Sequence, residues 1–216
     1  MNAESGGPFI GAGGFQGAHP KIGCWIPCNQ EERSLDDSAA NIPTIETLRL
    51  RLRPWTPDDA ETWFNILQED GILRYFPNPH PPARAKADAY IAHHLTHWQE
   101  RGYGHWAVVT RDDDRVVGWN GLEYLPDLDE TEVAYLLSKR VWGRGYATEA
   151  TRLTVQFGFE TIGLQKIIGL VHPDNIASIS VLEKCGLAFA DHVRLWGMEL
   201  SRYRIRRADY AQDPMA

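Results

Sequence analysis

Three cysteines in 216 residues form no disulfide framework, and Cys24, Cys28 and Cys185 fit a reducing, cytoplasmic setting. Long apolar runs are missing as well: no segment approaches the roughly 20 residues of a membrane span. Met1 to Gly14 carry neither a basic start nor an apolar stretch, so no secretory signal is expected. Positive charge is scarce. Lys and Arg total 22 against 29 Asp and Glu, a formal charge of −7, which argues against general affinity for nucleic acid or anionic membrane. There is no internal repeat, and no low-complexity tract beyond the N-terminal region. With 43% hydrophobic and 24% charged residues, the chain reads as one soluble globular domain, or one domain plus an appendage.

The chain divides near residue 44. Residues 1–44 lack hydrophobic periodicity, and Gly6, Gly7, Gly11, Gly13, Gly14, Gly17 and Gly23 alternate with Pro8, Pro20 and Pro27. Such a segment buries too little surface to offset its ordering entropy, so a disordered or weakly docked extension is expected. His19, Cys24 and Cys28 do not match the spacing of paired metal ligands, and no metal is expected there.

Order is expected from Thr47-Leu-Arg-Leu-Arg-Leu-Arg-Pro54, an alternation that reads as a half-buried strand. Thr56-Pro57-Asp58-Asp59 offers an N-cap, a proline at the first helical position and acid in the first turn. A second helix is predicted over about 83–100, with Ala87, Tyr90, Ile91, His94, Leu95 and Trp98 on one stripe and Gly102 and Gly104 ending it. His105–Thr110 and Val116–Tyr124 flank Asp112-Asp113-Asp114 as a hairpin. A strand then runs from Glu132 to Ser138, followed by a helix through Ala150, Leu153, Thr154 and Phe157. Lys166–Val171 reads as a short buried strand. His172-Pro173-Asp174-Asn175 opens another helix, which Cys185-Gly186 stops. Phe189–Leu195 and Met198–Ile205 form a closing strand pair, and 206–216 reads as a tail. The order β-α-α-β-β-β-α-β-α-β-β predicts a mixed α/β sheet.

The most informative stretch joins the strand to the helix after it: Lys139-Arg-Val-Trp-Gly-Arg-Gly-Tyr-Ala-Thr-Glu149. A strand that passes through a glycine turn into a helix N-terminus points several backbone N–H groups at one spot, where the helix dipole also favours negative charge. Lys139, Arg140 and Arg144 would burden that positive end unless an anion sat there. A phosphate or pyrophosphate site is therefore expected from Arg140 to Ala147, with Gly143 and Gly145 allowing close approach.

The element order, over roughly residues 45–205, resembles the GNAT superfamily of acetyl-CoA-dependent N-acyltransferases. Trp142-Gly-Arg-Gly-Tyr-Ala147 is similar to that family's acetyl-CoA motif, Q/R-x-x-G-x-G/A; Trp142 departs at the first position, and Gly145 and Ala147 match the last two. Trp142-Gly-Arg-Gly-Tyr-Ala-Thr-Glu-Ala150 and His172-Pro-Asp-Asn-Ile-Ala-Ser-Ile-Ser-Val-Leu-Glu-Lys-Cys-Gly186 resemble the branch named for ribosomal-protein alanine N-acetyltransferases (RimJ/RimL). The resemblance implies a mostly antiparallel central sheet flanked by helices. It also implies acetyl-CoA as co-substrate and direct transfer of acetyl to a primary amine, either a protein N-terminus or a small molecule. Monomer and homodimer both remain open.

The coenzyme site implied by turn and resemblance together comprises Leu137, Ser138, Arg140, Trp142, Gly143, Arg144, Gly145, Tyr146, Ala147, Thr148 and Asn175. In the resembling branch the asparagine contacts the pantetheine arm and the serine hydroxyl lies near the sulfur, which carries over to Asn175 and Ser178. A hydroxyl at Ser178 could donate to the departing thiolate. Equally, Asn175 or Asp174 could cap the helix and Ser178 could face water. In several GNAT enzymes a glutamate on this strand accepts the amine's proton, which points to Glu132; Glu123, Glu130 and Glu199 compete for the role. The need is chemical, because an alkylammonium with pKa near 10 is mostly protonated at neutral pH. A backbone N–H near Leu136 to Ser138 could hold the oxyanion.

Trp119 and Tyr124 are candidate acceptor-pocket residues. His93 and His97 have i,i+4 metal spacing but no accompanying third ligand in a recognised pattern, so a partly solvated helix face is expected, with no metal. Cys185 reads as a small buried hydrophobe. Two other functions fit the turn. A dinucleotide-binding oxidoreductase would want a third glycine where Ala147 stands, and more chain for a doubly wound sheet. A non-catalytic acyl-CoA-binding module would share every binding residue and lack transfer.

Overall fold

The computed structural model describes residues 42–212. The expectations for the N-terminal extension, including His19, Cys24 and Cys28, lie outside the described residues, apart from its last three positions. Those three already pack. Ile42 is buried, and the Pro43 carbonyl accepts a 2.7 Å hydrogen bond from the Trp106 indole.

Strands β1 (Ile45–Glu46) and β2 (Leu50–Arg53) replace the single long strand that the alternation suggested. Between them the Thr47 hydroxyl accepts from Leu50 N–H at 2.9 Å, closing a turn that leaves Leu48 89% exposed. Helix α1 (Asp59–Leu67) begins just beyond the expected cap. Thr56 does not cap it through its side chain. Instead the buried Asp59 carboxylate gathers the Thr56 N–H and hydroxyl (2.8 and 2.9 Å) and both arms of the Arg53 guanidinium (2.7 Å each). Helix α2 (Arg84–Arg101) ends at Gly102, whose φ of 74° a side chain would strain.

Strands β3 (His105–Thr110), β4 (Arg115–Leu125) and β5 (Glu130–Leu137) form an antiparallel meander. A 3₁₀ turn (Lys139–Val141) leads to helix α3 (Tyr146–Glu160), then β6 (Lys166–Val171) and helix α4 (Ile176–Lys184). Strands β7 (Ala188–Leu195) and β8 (Met198–Arg206) pair through Trp196-Gly197, both at positive φ as a tight two-residue hairpin requires. Helix α5 (Arg207–Gln212) follows where a tail was expected. Tyr210 is the reason: its ring packs on Phe159 and its hydroxyl donates to Glu160 at 2.7 Å.

The fold is α/β, with an eight-stranded sheet in the order β1-β2-β3-β4-β5-β6-β8-β7. Every neighbouring pair is antiparallel except β5 and β6, which meet in parallel at one position, Glu132 opposite Ile168. Successive residues of β4 show which helices cover which face. Trp119 packs against Tyr90 of α2, whereas Asn120 is held by Thr151 and Thr154 of α3 at 2.9 and 2.5 Å. Trp55, Trp63 and Tyr90 fill the α1–α2 side. Large side chains buried this completely each contribute roughly 1.5–3 kcal/mol. Among the described residues, no helix is long and apolar enough to cross a membrane.

Candidate active site

Beyond Glu132 the strands β5 and β6 diverge, and the groups expected to do chemistry surround the gap. On its near side lies the glycine turn. Gly143 and Gly145 sit at φ 72° and 79°, and Gly145 is the residue from which α3 starts. An added Cβ would meet nothing at Gly143 and only the Arg49 side chain at Gly145, so backbone conformation, not crowding, calls for glycine. The helical ladder begins with Glu149 N–H on Gly145 O at 3.0 Å. That leaves the N–H groups of Tyr146, Ala147 and Thr148 ahead of the ladder, facing out from the positive end of the dipole.

Three features hold the turn in place, none evident in the local sequence. Glu69, just past α1, accepts from the Ser138 hydroxyl (2.6 Å) and from Lys139 N–H (2.7 Å). Arg49 donates to Glu149 at 2.6 Å and to Arg144 O at 2.9 Å, and lies over the Tyr146 ring. The Trp142 indole donates to Leu137 O at 2.7 Å, with the ring 53% exposed. Ser138 is thereby occupied by Glu69, and Arg140 lies 3.9 Å from Asp113. The Arg144 guanidinium lies over the Tyr146 ring, 5.0 Å from its centroid. A cavity of about 480 Å³ opens beside the turn, lined by Gly145, Thr148 and the cations Arg49, Arg152 and Lys184.

Within the gap, Glu132 is 1% exposed. One oxygen accepts from Leu170 N–H at 3.0 Å, and the other has no hydrogen-bond partner among the described residues. Burial pushes its carboxyl up to about 8; the Leu170 N–H opposes this, and neighbouring Glu123 adds to it. The competitors fare differently. Glu130 is bound by Lys166 and by Arg202 (2.8 Å), and Glu199 is exposed. Glu123 is buried on the far side of Glu132 among histidines.

Asn175 caps α4, its side-chain oxygen accepting from Ser178 N–H at 3.2 Å. That leaves its amide nitrogen as the group it can offer elsewhere. Ser178 also lines the gap, and its carbonyl accepts from the Tyr135 hydroxyl at 3.3 Å. Tyr135 was not anticipated: it comes from β5, not from the helix, and burial raises its phenol so that it stays a donor. The oxyanion expectation also sharpens. Ser138 N–H is committed to Val117 O at 2.7 Å. Because strand donors alternate sides, Leu137 and Tyr135 direct their N–H groups into the gap.

The gap holds about 80 Å³ between Tyr75, Phe76, Pro77, Trp119, Trp196 and Met198. Tyr124 is not among its walls; its hydroxyl bonds Asp129 and its ring lies under Arg101. Cys185 is fully buried, and burial pushes its thiol up to about 12.

Residues 49–188 match the family model described as an acetyltransferase (GNAT) domain. The chain is 31% identical to the N-acetyltransferase YoaA of Bacillus subtilis over 67% of its own length and 82% of the relative's. It is 25% identical to the spermidine N(1)-acetyltransferase of Escherichia coli K12, over 64% of this chain and 73% of that one. Among solved structures, an acetyltransferase from Agrobacterium tumefaciens superposes with a TM-score of 0.68 at 27% identity, covering 76% of this chain and 95% of the other.

Proposed function

The chain belongs to the acetyltransferase (GNAT) family and is an acetyl-CoA-dependent N-acetyltransferase; from that premise we propose that Glu132 is the base, and that the acceptor is a primary amine on a short apolar or aromatic body. The observation that carries the reading is a buried carboxylate, raised to about 8, at the point where β5 and β6 part.

The diphosphate of acetyl-CoA lies on the N–H groups from Gly143 to Thr148. The pantetheine arm enters the gap, where Tyr135 and Leu137 offer N–H groups and Asn175 an amide. The amine docks on the Trp119 side and gives its proton to Glu132. Its nitrogen attacks the thioester carbonyl carbon, and the oxyanion is held by the β5 N–H groups. The C–S bond breaks, the thiolate accepts a hydrogen bond from the Tyr135 or Ser178 hydroxyl, and the second proton leaves the nitrogen for that sulfur, giving the neutral amide and the CoA thiol. A thiol pKa of about 8.5 makes that sulfur a tolerable leaving group, so catalysis rests chiefly on positioning the two reactants.

The acceptor class follows from the walls. Among the described residues Glu132 is the one acid lining the gap, so a second cation on a polyamine finds no other carboxylate among them. Aromatic and apolar side chains, Tyr75, Phe76, Trp119, Trp196 and Met198 among them, form much of its wall and suit a short apolar or aromatic body. The RimJ/RimL-like motifs support a second reading in which that arm is a protein N-terminus. An amine panel scored by release of free CoA tests both. Arylalkylamines and alkylamines should exceed spermidine and N-terminal peptides at least tenfold in kcat/KM, about 1.4 kcal/mol. Preference for peptides would favour the second reading, and preference for spermidine would overturn the first.

A further inference from the structure

Behind Glu132, on the α2 side of the sheet, lies a buried group that the acetyl-transfer chemistry does not use. His93 and His94 of α2 face Glu123 of β4, and one ligand atom from each lies within 4.8 Å of the others. His105 of β3 adjoins them, its ring stacked 3.9 Å from His94 and its Nε2 3.7 Å from Glu123 Oε2.

Three atoms here are sealed from water without a hydrogen-bond partner among the described residues: His94 Nδ1, His105 Nε2 and Glu123 Oε2. A carboxylate and imidazoles left this way are costly to the fold unless something binds them. The His93–Glu123 contact of 3.6 Å engages the other carboxylate oxygen, and the 3.7 Å between His105 Nε2 and Glu123 Oε2 is beyond hydrogen-bond length and leaves His94 Nδ1 untouched. His97 shows what a purely structural histidine looks like in this setting. Its Nδ1 bonds Tyr103 O at 2.7 Å and its Nε2 accepts from Tyr124 N–H at 3.4 Å.

We propose that His93, His94 and Glu123 form a binding site for one divalent transition-metal ion of the zinc type. Two imidazole nitrogens and one carboxylate oxygen are a donor set suited to zinc, whereas calcium and magnesium favour oxygen alone. In a tetrahedral site with bonds of about 2.0–2.1 Å, ligand atoms lie about 3.3 Å apart, so the cluster must contract modestly. His93, 44% exposed, provides the route in. His105 stands beside the group as a further imidazole, its Nδ1 fixed by the Tyr90 hydroxyl at 2.8 Å.

The test uses the full-length chain, stripped by chelator and titrated with Co²⁺ and Zn²⁺. Bound metal is read by equilibrium dialysis, by the visible absorption of four-coordinate Co²⁺ and by melting temperature. A His19→Ala, Cys24→Ser, Cys28→Ser variant removes the competing N-terminal donors. The proposal expects one equivalent bound by this variant, a melting temperature that rises with metal, at least tenfold weaker binding in His93→Ala, and loss of binding in Glu123→Gln and His94→Phe. His93 lies at the surface, so its variant decides the matter if either buried substitution impairs folding. No binding at micromolar metal, or binding that survives His93→Ala and Glu123→Gln while the N-terminal variant loses it, overturns the proposal.

Discussion

Replacing Glu132 by glutamine should stabilise the protein and stop it working, with both effects growing as pH rises. The glutamine keeps the oxygen that accepts from Leu170 N–H, and it mimics the protonated carboxyl. The carboxyl rises from its ordinary 4.5 to about 8, chiefly because it is buried. A folded-state pKa raised in this way means the folded protein holds a proton that the unfolded chain releases. The stability this confers is present in full below 4.5 and is lost as pH climbs toward 8. The loss is about 1.4 kcal/mol per pH unit, so at pH 7 the wild type has given up roughly 3 kcal/mol that Glu132→Gln retains. Because the group is fully buried, no large discount for solvent screening applies, though the figure is an upper bound. For a domain of this size it corresponds to a melting temperature higher by roughly 6–12 °C. Glu123 titrates in both proteins and largely cancels from the difference. Paired melts across about pH 5 to 8, in chelator to keep metal out, give the difference directly. With the range carried on to about pH 9, wild-type kcat/KM should rise through about 8 as the base forms, and the variant's should stay at background. A stability difference that does not grow with pH would refute burial as the cause, and a variant that still turns over would remove Glu132 from the chemistry.

Gly145→Glu puts a carboxylate and a strained φ of 79° at the turn; acetyl-CoA affinity by calorimetry should fall at least tenfold while the melt stays cooperative, and retained affinity would count against the turn as anion site. Tyr135→Phe and Ser178→Ala should each slow turnover with little change in KM for acetyl-CoA, and the hydroxyl whose loss costs more is the donor to the thiolate. Asp59→Ala strips the partner from the half-buried Arg53 and should cost about 3 kcal/mol in urea melts; a cost below about 1 kcal/mol would show the pair to be a surface bridge in energy. Gly118→Ala would bring a Cβ within 2.0 Å of Leu136 O at a φ of 141°, so a loss of at least about 3 kcal/mol or insoluble expression is expected.

Periodicity and punctuation carried most of the fold. The α2 stripe, the β3–β4 hairpin around its aspartates and the Trp196-Gly197 turn are local patterns, and local patterns are what a sequence displays. The misjudged places involve partners far along the chain. Thr47-Leu48 alternates like a strand, yet the Thr47 hydroxyl closes a turn and the Thr47–Arg49 segment is tied to Glu149. Residues 207–212 look like a tail until Tyr210 finds Phe159. At the site, the glycine turn and the position of Glu132 were legible because each lies within one element. What fits Glu132 for the proposed base role is its burial, which depends on β6 and on the segment around Tyr75 arriving from elsewhere. The same holds for Tyr135, whose strand says nothing of the helix it touches, and for Glu69, separated from Lys139 by 70 residues. His93 and His97 showed metal spacing and lacked a third donor. The fold brings Glu123 to His93 and His94 instead, and leaves His97 in ordinary hydrogen bonds.

Among the described residues, a lone rung of the backbone ladder, Glu132 to Ile168, joins the two halves of the sheet. On the proposed placement, the amide arm of the coenzyme along the bare edge of β5 would serve as a borrowed strand that completes what the polypeptide leaves unfinished. Amide exchange at Tyr135 and Leu137 should accordingly slow when coenzyme A is added. The seam, and not either half, is where the apo protein should first open.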